Sequence, residues 1–222
     1  MKYPAILTIT VIALFSFIVF NAVSRFFYKK RHHTKYHFYQ MFPYEFNYPT
    51  VFKENPYGNF LFLFSGFAVC VFYILNPYDS IYKVGSLIIS IVFTMILLCL
   101  TMMPMVYLRT HIFLACGSMA LSLALPLFNF FLAFSQFKGE TDQLKAALCI
   151  VSTVLSGVLA ATMMVLILNP KLSFKIYYRK EIDINGQEVL KRPPVIYLAM
   201  TEWMAIYIYF FSIVPVLLIC LL

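Results

Sequence analysis

The chain has 222 residues, 62% of them hydrophobic and 12% charged, with a mean hydropathy of +0.84. A soluble domain carries roughly twice that share of charge, so a water-soluble globule is excluded and most side chains must face lipid or one another. The formal net charge of +8 points to a membrane surface; the loops lack the architecture of a nucleic-acid reader, and no nucleic-acid partner is expected.

Six apolar runs lie near 5–27, 59–75, 84–106, 112–134, 144–168 and 195–222. A spanning helix needs about 20 mostly apolar residues rising 1.5 Å each. Five runs meet that length, and the second falls short, so Tyr57-Gly58 before it and Asn76-Pro77 after it are expected at the headgroup level. The connections at 28–58, 107–111 and 169–194 are too short to be separate domains. The expected fold is an all-α six-transmembrane-helix bundle, one membrane domain over residues 1–222.

Lysine and arginine placement sets the orientation. Arg25, Lys29, Lys30, Arg31, Lys35 and Lys53 flank the first connection, Arg109 the third, and Lys171, Lys175, Arg179, Lys180, Lys191 and Arg192 the fifth. The opposite side holds Lys2, Lys83, Lys138 and Lys145, a ratio of 13 to 4. The odd-numbered connections are therefore expected in the cytoplasm and both termini on the non-cytoplasmic side of a bacterial-type cytoplasmic membrane. The first run is expected to be a retained span, because its dense positive cluster follows the apolar stretch, the reverse of a signal peptide's charge order.

After helix 1, Arg25 to Lys35 reads as a basic continuation in which Lys29, Lys30, Arg31 and Lys35 attract anionic lipid. Residues 36–60 then carry ten aromatic side chains interrupted by Pro43, Pro49 and Pro56, which prevents one continuous helix. That strip is expected to lie along the inner membrane surface, or else to dock a partner protein. His33 and His37 stand four apart as metal ligands do, but Lys29, Lys30, Arg31 and Lys35 surround them with positive charge, so no metal is expected.

Helices 4 and 5 carry small residues in rows: Cys116, Ala120 and Ala124 on one, Ser152, Ser156 and Ala160 on the other, with Thr153, Gly157 and Ala161 alongside. Small side chains let spanning helices approach closely, so these two are expected to pack as an antiparallel pair. Helices 2 and 5 both end in Leu-Asn-Pro, at Asn76-Pro77 and Asn169-Pro170. The dipeptide suggests inverted halves, although it is also an ordinary helix stop. Strand-forming residues at 175–184, Asn185-Gly186 and the return to Lys191 predict a small cytoplasmic β-hairpin with a two-residue type I′ turn between helices 5 and 6. Helix 6 presents Trp203, Tyr207, Tyr209, Phe210 and Phe211, bulk that suits lipid or a partner's surface. Pro126 and Pro215 are expected to kink helices 4 and 6.

Chemistry-bearing residues are few. Glu202 is the one carboxylate well inside a run, and an ionisable group within the membrane is costly and often functional. Its expected partners are Arg109 or His111 at the same depth. Asn129 joins it as a candidate ion- or substrate-binding residue, although hydrogen bonding between helices also accounts for it. The five cysteines, Cys70, Cys99, Cys116, Cys149 and Cys220, all lie in apolar runs without CxxC spacing, so neither a disulfide framework nor a zinc site is expected. HExxH, GxSxG, P-loop and GxGxxG motifs are absent, and no cofactor is expected. Three classes remain: a non-catalytic subunit bound to other membrane protein subunits, a small transporter or channel using Glu202, and, remotely, a lipid-modifying enzyme built on Arg109, His111 and Glu202.

Overall fold

The computed structural model describes residues 2–46, 55–102, 108–173, 179–182 and 188–220. Six of its helical segments are long and apolar enough to cross a membrane. They comprise α1 (Lys2–His32), α2 (Pro56–Leu75), α3 (Ile81–Met102), α4 (Leu108–Phe137), α5 (Gln143–Ile167) and a last span divided into α6 (Tyr197–Phe211) and α7 (Ile213–Cys220).

Local chemistry sets the helix ends. Asn55 caps α2, its Oδ1 accepting the Gly58 amide at 3.0 Å, and Pro56 follows at the first helical position, where a missing N–H costs nothing. The cap lengthens the short second run to 20 residues and takes Tyr57 and Gly58 into the helix. Asp142 caps α5 by accepting the amides of Leu144 and Lys145, and its charge also suits the positive end of the helix dipole. α1 stops where His33 turns to φ 55°, with its amide on the Lys29 carbonyl at 2.9 Å. The two Asn-Pro endings make the same turn: Asn76 Oδ1 accepts the Tyr78 amide and Asn169 Oδ1 the Lys171 amide. This turn chemistry accounts for the repeated dipeptide without a repeated half.

The last span is the hub of the bundle. Trp203, Tyr209 and Phe210 are fully buried, and only Phe211 of its bulky residues faces outward. The expectation that these aromatics meet lipid or a partner is corrected. A helix that is apolar all round can be surrounded by its own protein. Phe210 stacks on Phe17 of α1 at 4.1 Å, Phe17 neighbours Phe20, and Phe20 stacks on Phe62 of α2 at 4.4 Å; Tyr209 stacks on Phe93 of α3 at 4.0 Å. The span breaks at Ser212, three residues before Pro215, whereas Pro126 lies inside an uninterrupted α4.

The small-residue rows divide. Ser152, Ser156 and Ala160 are buried on α5. On α4, however, Cys116 and Ala120 are exposed and Ala124 half-buried, and the inward stripe runs through Ala115, Ser118, Ser122 and Asn129. Small residues permit close approach, but a four-residue spacing alone does not say which way the row points. Gly157 lies near Phe130, the ring that a Cβ would meet at 3.5 Å.

Between α5 and α6, β1 (Arg179–Ile182) pairs antiparallel with β2 (Glu188–Lys191). Ile182 faces Glu188, whereas a two-residue turn at Asn185-Gly186 would set Ile182 opposite Val189. The register is thus shifted by one residue from the expected one, and residues 175–178 and 183–187 lie outside the described residues.

Candidate functional site: the Glu202–His111 pair and the polar interior

Glu202 lies five residues into α6, about 8 Å along its axis. Its neighbours by helical spacing, Leu198, Ala199 and Ala205, belong to an apolar cluster with Met119 of α4, Met163 of α5 and Phe42 of the first connection. The carboxylate is buried in that setting. His111, near the start of α4, places Nε2 3.9 Å from Glu202 Oε1. That distance suits an ion pair but exceeds a hydrogen bond, so the groups are electrostatic neighbours and not a bonded acid–base dyad. The side chain of Arg109, the other expected partner, lies outside the described residues. A buried carboxylate beside an imidazole can hold or exchange a proton or a small cation. Among the described residues there is no group of three or more His, Cys, Asp or Glu placed to hold a metal ion.

Asn129 occupies the middle of the bundle, fully buried. Its Oδ1 accepts from Ser86 Oγ of α3 at 3.0 Å and from the Tyr73 hydroxyl of α2 at 3.2 Å. Its Nδ2 donates to that same Tyr73 oxygen at 2.8 Å and to the Ser212 carbonyl at 2.7 Å. An amide offers two donors and about two acceptor sites, so the capacity of Asn129 is filled by four links to other helices. This favours helix bonding over ligand binding. The amide also engages a backbone carbonyl at the α6–α7 break.

A second polar knot joins α3 and α6. Thr94 Oγ1 lies 3.0 Å from the Tyr209 hydroxyl and 3.5 Å from Cys70 Sγ, and Tyr209 donates to the Ser90 carbonyl. The Ser152 and Ser156 hydroxyls, by contrast, are buried without a hydrogen-bond partner among the described residues.

Beyond the end of α1, the first connection is clasped to the start of α6. Trp203 Nε1 donates to the Tyr36 hydroxyl at 2.7 Å, and Tyr36 donates to the Phe42 carbonyl at 2.8 Å. Burial pushes the Tyr36 phenol well above its ordinary range, outweighing the stabilisation of phenolate that Trp203 offers. The Ile196 amide donates to the Tyr39 carbonyl, Gln40 Nε2 to the Pro194 carbonyl, and Arg192 Nη1 reaches both Glu45 oxygens at 2.8 and 2.9 Å. Tyr36 and Phe42, expected on the membrane surface or against a partner, are instead part of the protein's own core. Arg31 also turns inward, to His32 and the Glu45 carbonyl, while Lys29, Lys30 and Lys35 stay exposed.

Glu202, His111 and Asn129 stand out in the sequence as polar groups within or beside apolar runs, whereas the hydrogen-bonding roles of Tyr73, Tyr209, Tyr36 and Ser86 do not. The available signal was a tyrosine within or beside a span, whose hydroxyl needs a partner once buried. No family model, curated protein or solved structure matches this chain.

Proposed function

We propose that this chain is a non-catalytic integral membrane subunit, an assembly partner within a larger complex of membrane proteins. In this reading it lies in a bacterial-type cytoplasmic membrane, with residues 28–58, 107–111 and 169–194 in the cytoplasm, the strands at 179–191 closing there as a hairpin, and both termini on the other side. The observation that supports a scaffold role is the filled interior. Asn129, Tyr73, Ser86, Thr94 and Tyr209 bond to one another's helices, and stacked rings fill the centre where a carrier needs an opening. Extraction in a mild detergent followed by affinity purification tests this. Stoichiometric partner chains are expected, and a lone monomer or homo-oligomer overturns the reading.

A second reading, a small transporter or channel, draws on one observation: the buried carboxylate of Glu202 with His111 at 3.9 Å. Such a group within a span is often functional. Orientation is tested separately, in a background lacking native cysteines. Cysteines at Ser80 and Gln136 should label with an impermeant thiol reagent on intact cells, and cysteines at Thr34 and Asn185 only after permeabilisation. The opposite pattern reverses the topology.

A further inference from the structure

The outward stripe of α1 changes chemistry near its end. Through most of the helix it is apolar, exposing Val11, Phe15, Ile18, Ala22 and Phe26 at spacings of three and four. One turn beyond Phe26 the same stripe becomes cationic with Lys29 and Lys30, followed by His33. α1 has 31 residues, about 46 Å of helix against a hydrocarbon core of about 30 Å. Its last turns therefore reach past the acyl chains to the level of lipid phosphates.

The fold separates these cations from their basic neighbours. Arg25 lies over the Tyr36 ring, and Arg31 is bonded to His32 and the Glu45 carbonyl. The ammonium groups of Lys29 and Lys30 have neither hydrogen bond nor ion pair within the described residues. Among the described residues of the adjoining connection the carboxylate is Glu45, which is held by Arg192 and so does not neutralise them. Ala22 is the small residue of this stripe, between the larger Ile18 and Phe26.

We propose that this stripe is a binding site for an anionic glycerophospholipid. One acyl chain lies along Ile18, Ala22 and Phe26, and the phosphate sits between Lys29 and Lys30 with His33 at its rim. Tails and headgroup are both needed: the apolar stripe sets the chain's path, and the unpaired ammonium groups select a negative head over a zwitterionic one. The inference rests on neither functional reading above, since a subunit and a carrier can equally hold a lipid.

The test is native mass spectrometry of the purified full chain titrated with phosphatidylglycerol or with phosphatidylcholine of matched acyl chains. Each surface lysine is worth roughly fivefold in binding. Wild type should therefore prefer phosphatidylglycerol by roughly 25-fold, and Lys29→Gln/Lys30→Gln should remove most of that preference. Lys171→Gln, at a cation lying over the Tyr197 ring, should leave it unchanged. The single variants, Lys29→Gln and Lys30→Gln, give intermediate values and keep the test available if the double variant folds poorly. Undiminished preference in these variants overturns the site. So does displacement of the lipid by millimolar inorganic phosphate, which would mark a general anion patch without a role for the chain. The Thr34 labelling above reads the leaflet independently, so an error in orientation is distinguishable from an error in the site.

Discussion

Replacing Asn129 by leucine, an apolar side chain of similar size, removes four hydrogen bonds at once: one from and one to the Tyr73 hydroxyl, one from Ser86 and one to the Ser212 carbonyl. In water-free surroundings the groups left behind cannot turn to solvent. Measured hydrogen bonds between spanning helices average about 0.6 kcal/mol, with an upper value near 1.7. Four such bonds give about 2–3 kcal/mol, or a shift of roughly 50-fold in the folding equilibrium. Reversible unfolding of purified protein in bicelles, followed by steric trapping or by near-UV circular dichroism, reads that shift directly. Ser122→Ala is the matched control, since the Ser122 hydroxyl donates only to Met119 of its own helix and should cost no more than about 0.6 kcal/mol. An Asn129→Leu protein within about 0.5 kcal/mol of wild type would refute the argument that this amide joins the helices. It would also reopen Asn129 as a ligand-binding residue.

Other substitutions test other parts of the fold. A Cβ at Gly85 would lie 2.1 Å from a Phe128 ring carbon, whereas one at Gly139 meets nothing within 4 Å. Gly85→Ala should therefore lower the melting temperature in detergent by several degrees and Gly139→Ala should not; equal values would mean that Phe128 swings away freely. His33→Gly should stabilise the end of α1 by about 1 kcal/mol, because glycine adopts the left-handed conformation without a Cβ clash; unchanged unfolding would mean that the native turn is unstrained. Glu202→Gln removes the acid facing His111 and should reduce folded yield, and His111→Gln added to it should restore part of the loss. Simple additivity of the two changes, within about 0.5 kcal/mol, would show that the residues do not interact.

The sequence made the membrane class legible, because twenty consecutive apolar residues have few other uses. The true start of α2 was missed, although Asn55-Pro56 carries the signal in plain form: a capping side chain followed by proline at the first helical position. The azimuth of each helix was the harder quantity. Cys116 and Ala120 face outward while Ser152 and Ser156 face inward, and in a chain where both faces are apolar no hydrophobic contrast distinguishes them. The aromatic residues of the last span failed for the same reason. The sequence offered Arg109 or His111 as partners of Glu202, because ionisable groups at matching depth are scarce in a membrane; His111 lies 3.9 Å away, and the Arg109 side chain is outside the described residues. Ser86 belongs to a row of small residues with Ser90 and Thr94 on α3, all three buried, but its bond to Asn129 and that of Tyr73 are not legible until three helices converge.

The clasp at the start of α6 also sets an order of events during synthesis. Tyr36 meets Trp203, Gln40 meets Pro194 and Glu45 meets Arg192, partners separated by 167, 154 and 147 residues. At about 5–20 residues per second, the first connection waits roughly 7–35 s between its own emergence and that of the segment which fixes it. During that interval its aromatic side chains, Tyr36 and Phe42 among them, are available to the membrane surface or to any chain nearby. Only when the final span inserts can they be withdrawn into the protein. A nascent chain stopped after α5 would thus display a sticky segment that the arrival of Arg192, Pro194 and Trp203 conceals.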